Sequence, residues 1–320
     1  MTLKNKILSI HSFYFKKNDV LRPDQRHGFL WAYYNIVVRL CNLFLIVYLR
    51  FERLFFHPNM SQKVVSDVVV SLTTFPARIN KLWMVLDSIL NQTVLPKKII
   101  LVLAIDEFPG RINDVPKNLL VYRNYGLEFL FVEKNLKPHN KYFYTFEKFY
   151  GDLVLTIDDD CYYKPDLIKR MLEVHDMYPN CVCSSTICKI EFDKNGKFLP
   201  YSEWKDIFTH VEPSNVYLAL GVCGVLYPTS LFDKNIILNA DVIRSLCLQT
   251  DDLWLKANEV ECGVPVVNGE YCARPCSVLG TQKFALSHTN CENGPGNGND
   301  VQWSSLVGFF NLKRNMFFCL

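Results

Sequence analysis

From Ser66 onward the sequence predicts an α/β fold, a sheet covered by helices, and three observations carry that prediction. Short, β-branched apolar runs alternate with segments whose apolar residues recur at helical spacing. Several of these runs break off into loops that carry hydroxyl or carboxylate side chains. One of them, Leu153–Ile157, stops at three consecutive carboxylates, Asp158, Asp159 and Asp160. A buried strand ending this way delivers hard oxygen ligands to one point of a sheet edge, as a divalent cation bridging phosphates requires.

The elements follow in order. Asp67–Leu72 is the first strand, left by the loop Thr73-Thr74-Phe75-Pro76. Asn80–Leu90 then sets Leu82, Val85, Leu86, Ile89 and Leu90 on one helical face, and Pro96 stops the segment. Lys98–Leu103 is the second strand, with Asp106 beyond its end, and Leu127–Val132 the third. A helix over Lys141–Phe149 returns the chain to the fourth strand, and Pro165–Tyr178 follows as a helix with proline in its first turn. In open α/β sheets ligands bind beyond the carboxyl ends of the strands, so Thr73, Asp106 and Asp158–Asp160 mark one cleft.

Composition limits the function. A chain of 320 residues with 49% hydrophobic content buries one substantial core, giving one main domain over 63–320 and an appendage over 1–62. A net charge of +3 without a dense Lys/Arg stripe argues against a nucleic-acid partner. The twelve cysteines are scattered through apolar segments and form no Cys-x-x-Cys pair, which favours buried thiols in a reducing compartment over disulfides or zinc.

The appendage carries the charge: nine Lys/Arg face three Asp/Glu over 1–62. Within it, 28–49 is apolar except for Asn35, Arg39 and Asn42, spaced as one narrow helical stripe. An arginine in mid-span costs about 2.5–3.5 kcal/mol on insertion scales. The alternatives are an interfacial helix on anionic lipid, a span, or a helix packed on the protein's own core.

Four blocks together resemble bacterial glycosyltransferases of the GT-A fold, near family 2: Ser71–Ile79, Gln92–Ile99, the Asp-x-Asp of Asp158 and Asp160, and Thr250-Asp251-Asp252-Leu253-Trp254. The resemblance implies a mixed central sheet flanked by helices and a nucleotide-diphosphate sugar donor with Mn2+ or Mg2+. It also implies transfer of a single sugar to a glycan or lipid-linked acceptor. Asp160 is then the expected metal ligand, Asp158 reaches metal or ribose, and Asp159 faces the sugar or the loop. Asp252 is the expected general base of an inverting enzyme, and Asp251 orients acceptor or sugar. The loop holding Gly224 is placed against the donor sugar, and His288 completes the metal site if it is not a structural histidine. Arg78 and Lys141 are candidates for the diphosphate, or plain surface charges. Two departures accompany this. The second strand is followed by Asp106-Glu107-Phe108 rather than Asp-Asp-Gly-Ser, and no Gln-x-x-Arg-Trp of processive synthases is present.

Blander readings compete. Asp158–Asp160 and Asp251-Asp252 also suit helix N-termini, where carboxylates are favoured. A retaining enzyme, or a non-catalytic carbohydrate-binding or membrane-assembly protein of this fold, stays open. The expected location is the cytoplasmic face of the cell membrane, with residues 1–62 on its surface. The alternative is a Golgi enzyme with a lumenal domain, for which Asn59 and Asn91 are formal sequons. Asn293–Asp300 is rich in turn formers and reads as an irregular loop, a candidate lid.

Overall fold

The four strands expected from the sequence lie side by side and parallel in a computed structural model that describes residues 2–19, 28–52, 63–207, 209–269, 276–281, 283 and 298–318. They are β1 (Val69–Thr73), β2 (Lys98–Ala104), β3 (Leu127–Val132) and β4 (Leu153–Thr156), in the spatial order β4-β1-β2-β3. Beyond β4 the chain adds β6 (Val182–Ser184), β7 (Val211–Ser214), β8 (Val225–Pro228) and β9 (Val266–Asn268). The full order is β7-β9-β6-β8-β4-β1-β2-β3, and β8 is antiparallel to both β4 and β6. A short ribbon pairs β5 (Cys161–Tyr162) with β10 (Cys276–Ser277).

Parallel strands are buried on both faces, and the side chains alternate between two cores. Val70, Leu72, Leu101 and Leu103 pack with α3 (Trp83–Leu90) and α5 (Leu167–Met177). Val69, Ile100, Val102 and Val154 pack with α4 (Asn140–Lys148) and α6 (Asp251–Glu261) on the other face. The expected α/β class, a mixed sheet flanked by helices, is what the chain adopts. Register then aligns the strand ends: Thr73 pairs with Val102 and Ser71 with Thr156, so β1 and β4 leave the sheet at one edge.

Some expectations shift. Pro165 precedes its helix instead of opening it. Gly298–Phe309 forms α7, so the end of the expected loop is helical, and 293–297 lie outside the described residues. The Asn91 side chain caps its own helix through Asp87 O at 2.9 Å; Asn59 is outside the described residues. The appendage holds two helices, α1 (Leu3–Asp19) and α2 (Phe29–Glu52). Leu8, Leu45 and Leu49 join them to the α3/α5 core. Nine cysteines among the described residues are free thiols, eight of them buried.

One buried ion pair stands apart from the cleft. On α6, Lys256 Nζ lies 3.0 Å from Glu259 Oε2, both essentially without exposure. Burial lowers the lysine pKa and raises that of the glutamate, so each depends on the other for its charge. Removing one partner strands the other. Lys256→Ala is expected to cost about 3–5 kcal/mol in urea unfolding, whereas Lys256→Met with Glu259→Leu recovers most of that loss.

Candidate active site

The three aspartates form a turn pinned on both sides. Ile157 N donates to Ser71 O at 3.0 Å, continuing the β4–β1 ladder, and Asp158 N donates to Tyr163 Oη at 2.8 Å. Beyond them, Val278 N donates to Asp160 O at 2.7 Å from the β5–β10 ribbon. The backbone therefore fixes where each carboxylate points.

Two cations divide the three carboxylates. Arg78, just past the loop that leaves β1, places Nη1 2.7 Å from Asp159 Oδ1 and Nη2 3.1 Å from Asp160 Oδ2. Thr74 Oγ1 also donates to Asp159. Lys141, in the first turn of α4, sits 2.8 Å from Asp158 Oδ1 and 2.8 Å from Asp251 Oδ2. Arg78 and Lys141 are thus cleft cations rather than solvated surface charges. Asp251 and Asp252 open α6, so the strand-end carboxylates and the helix-start carboxylates meet across one lysine.

Asp252 keeps one carboxylate oxygen out of any hydrogen bond or ion pair among the described residues. Its Oδ2 accepts from Gly221 N at 3.3 Å, while Oδ1 is buried and has no hydrogen-bond partner among the described residues. Gly221 makes that proximity possible: a Cβ there would lie 2.8 Å from both Asp252 Oδ1 and Lys141 Nζ.

The electrostatics follow from burial and neighbours. Burial and the adjacent Asp251 push the Asp252 carboxyl up to about 8. For Asp251 the Lys141 ammonium outweighs burial and holds the carboxyl below its ordinary value. Burial pulls Lys141 down, but Asp158, Asp251 and Asp252 together carry its pKa well upward, so it stays charged. The Arg78–Asp159 pair pulls in two senses. Arg78 is raised because Asp159 and Asp160 overcome its burial, whereas burial lifts Asp159 to about 6 despite the guanidinium.

Behind the site, His139 joins its two halves. Burial lowers its pKa to about 4, so the ring is neutral at physiological pH. Its Nε2 lies 2.6 Å from Cys247 O, which can only accept, so Nε2 carries the proton and Nδ1 accepts from Tyr142 Oη at 3.0 Å. The loop before α4 is thereby tied to the loop that leads into α6.

The cleft encloses about 530 Å³. Thr73, Arg78, Lys141, Asp158, Asp159, Asp160, Asp251 and Asp252 all line it, and Thr73 donates its hydroxyl to Val102 O at 2.9 Å. Asp106 and Gly224 do not line it. The turn after β2 leaves Asp106 exposed, held by Asn135 Nδ2 at 3.1 Å, while Glu107 and Asn135 face the cleft. Gly224 adopts φ +88° with Leu167 3.4 Å from where a Cβ would stand, so its need is conformational and Gly221 is the glycine beside the carboxylates. His288 lies outside the described residues. The sequence reading missed Asn135, Tyr201 and Gln249 in the cleft wall; uncharged and scattered along the chain, they form no motif, whereas Asn299, also in the wall, belongs to the candidate lid segment.

Six carboxylates line the cleft (Glu107, Asp158, Asp159, Asp160, Asp251 and Asp252) against three cations, Arg78, Lys137 and Lys141. The cavity is net acidic. Among the described residues no three His, Cys, Asp or Glu side chains converge as a complete metal cage.

Comparison with known proteins agrees with the class. Residues 73–225 match the family glycosyl transferase family 2, which bears out the resemblance read from the sequence. Among solved structures, S. aureus TarS 1-349 is 17% identical with a TM-score of 0.40, covering 65% of this chain and 59% of its own. The same fragment in complex with UDP is 16% identical with a TM-score of 0.41, covering 68% and 62%. Mannosyltransferase PcManGT from Pyrobaculum calidifontis, in complex with GDP-Man and Mn2+, is 10% identical with a TM-score of 0.43, covering 98% and 83%. This chain thus spans about 59% of the length of the TarS fragment. No curated protein matches it.

The pairing of Asp251 and Asp252 is directly measurable. In the free protein, carboxyl-carbon NMR is expected to show Asp252 still protonated at pH 7 and losing its proton around the value of about 8. Asp251→Asn removes the neighbouring negative charge and moves that titration to lower pH. An Asp252 ionised throughout neutral pH in the unsubstituted protein contradicts the buried-pair geometry.

Proposed function

We propose that the protein is an inverting glycosyltransferase that moves one sugar from a nucleotide-diphosphate sugar to a glycan or lipid-linked acceptor. The observation that carries this reading is the confrontation of Asp158–Asp160 with Asp251-Asp252 across a single cleft, where Lys141 bridges Asp158 and Asp251. One group suits the diphosphate end of the donor and the other suits the acceptor.

The acidic lining requires a partner cation. A diphosphate entering a cavity with twice as many carboxylates as cations meets repulsion unless a divalent ion accompanies it. Mg2+ and Mn2+ take one or two protein carboxylates and complete their shell with phosphate oxygens and water. Asp158 and Asp160, on one strand-end turn that lines the cleft, fit that role. When bound, such an ion neutralises charge on the departing diphosphate. Arg78 and Lys141 lie beside the same carboxylates and supply donors to phosphate oxygens.

Asp252 supplies the base. Its unpartnered Oδ1 accepts the acceptor hydroxyl's proton as that oxygen attacks the sugar carbon, and the raised pKa brings the carboxylate close to the operating pH. Asp251, kept ionised by Lys141, serves as a fixed anion that orients acceptor or sugar. The free buried cysteines support a reducing compartment, and the basic, apolar appendage supports the cytoplasmic face of a membrane.

Turnover of nucleotide sugars tests the reading. Asp252→Asn is expected to lower kcat by roughly a hundredfold or more without shifting the unfolding midpoint. Asp158→Asn and chelation both remove donor turnover, and added Mn2+ restores it only after chelation. Gly221→Ala, which sets a methyl group against Asp252 and Lys141, also abolishes transfer. NMR of the product is expected to show the inverted anomer; a retained anomer removes Asp252 as base.

A further inference from the structure

Helix α2 carries two stripes on opposite sides. Val38, Cys41, Asn42, Leu45 and Leu49 are buried, and the last two belong to the protein's own core. On the other side Phe29, Ile36, Leu40, Phe44, Val47 and Phe51 are exposed, each by 46% or more. At 100° per residue these six fall within an arc of roughly 80°, a continuous apolar face about 33 Å long. No other part of the described chain leaves such a face uncovered.

Charge surrounds that face in the pattern a lipid surface demands. Arg39 and Arg50 are exposed at its edge, where long cationic side chains reach headgroups while the apolar side chains sink. The acidic residue of α2, Glu52, is neutralised by Lys4 of α1 at 3.0 Å. That pair at one end, and Tyr14 with Tyr33 towards the other, make α1 and α2 an antiparallel hairpin. Exposed Leu3, Ile10 and Phe13 on α1 are interleaved with Lys6 and Lys17.

By length and composition α2 could cross a bilayer, whose core takes about 20 apolar residues, but a span sets the helix in hydrocarbon over that whole length. Between Val38 and Leu49, α2 is committed to the protein on one side, and it is clear of the core only over its first turns. Its outward side alone remains for lipid. The hairpin also lies near the chemistry: α1 packs against β10, whose Ser277 lines the cleft and whose neighbour Val278 holds Asp160 O at 2.7 Å.

We propose that α1 and α2 form a platform lying in the plane of an anionic bilayer, and that the acceptor of this cleft is carried by the same bilayer. The second half rests on the glycosyl-transfer reading; the first does not. The platform holds the donor carboxylates one two-stranded ribbon above the headgroups, within reach of a sugar on a lipid carrier.

Flotation with vesicles of equal parts phosphatidylcholine and phosphatidylglycerol tests the platform without any catalysis. The unsubstituted protein is expected to float with these vesicles. Phe44→Glu with Val47→Glu is expected to weaken binding at least about tenfold at an unchanged unfolding midpoint, because both side chains are exposed. Arg39→Glu with Arg50→Glu weakens binding in proportion to the phosphatidylglycerol content. A cleavable tag at residue 1 is expected to be removed completely from the outside of sealed vesicles. A protected tag means a span and overturns the in-plane arrangement. So does a dimer that the Phe44/Val47 variant dissociates while neither form floats, since the face then belongs to a second copy.

For the acceptor, the Phe44/Val47 variant is expected to hydrolyse donor as fast as the parent and to lose transfer to a lipid-linked acceptor in vesicles. Undiminished vesicle transfer overturns the acceptor assignment. Absence of donor hydrolysis in both forms overturns the glycosyl-transfer reading and the acceptor with it, while flotation still decides the platform.

Discussion

Lys141 Nζ stands 2.8 Å from a carboxylate at the end of a strand and 2.8 Å from one at the start of a helix more than 90 residues later. The rest of the site depends on that bridge. A buried ammonium is stable here only because Asp158 and Asp251 surround it, and two groups of carboxylates approach this closely only because the ammonium lies between them. Ser71 and His139 stabilise the same arrangement from behind. Ser71 Oγ donates to Lys141 O, and His139 fastens the chain before α4 to Cys247 before α6. The sheet brings the elements together, and the lysine sets the distance.

That bridge also divides the labour of neighbouring aspartates. Asp251 faces the ammonium and is held ionised; Asp252 faces Gly221 and is pushed up to about 8. Adjacent carboxylates in one helical turn thereby acquire opposite tendencies, one a fixed charge and the other a proton acceptor near neutral pH. Asp159 and Asp160 show the same economy, since one guanidinium serves both.

The parallel half of the sheet was legible because its physics is local. Apolar runs bounded by turn residues admit few other structures, and all four strands lie where their hydrophobicity placed them, three of them buried on both faces and β3, at the edge, half-buried. Asp158–Asp160, Asp251 and Asp252 were legible as candidates because two acidic blocks end a strand and open a helix, positions that the helix-terminus reading explains equally well until the fold brings the two blocks into one cleft. Three features were not. β8 inserts antiparallel between β4 and β6, pairing Val225 with Thr156 and with Ser184, distant partners that no local pattern encodes. Gly221 and Gly224 occupy one short loop, and only the register of the turn decides which faces the carboxylates. Asp106 follows a strand like the other candidates, yet the turn after β2 points Glu107 into the cleft instead. Side-chain direction at a strand end is a one-residue question, and composition does not answer it.

The appendage shows what a spacing pattern leaves open. Asn35, Arg39 and Asn42 recur at helical spacing as one narrow stripe, which suits an interfacial helix, a span or a helix packed on the protein's own core. In the folded chain Asn42 is buried beside Cys41 and Leu45, half-buried Asn35 turns back to Trp31 O at 2.9 Å, and Arg39 is exposed. The stripe therefore lies towards and beside the protein, and the face left outward is apolar. Burial of Asn42 is carried by its neighbours Cys41 and Leu45 rather than by a hydrogen bond, since its Oδ1 has no partner among the described residues. A helix with one side matched to a folded domain and the other to lipid belongs at the boundary between them. The domain it carries is the one whose cleft collects Asp158, Asp251 and Asp252 around a single lysine.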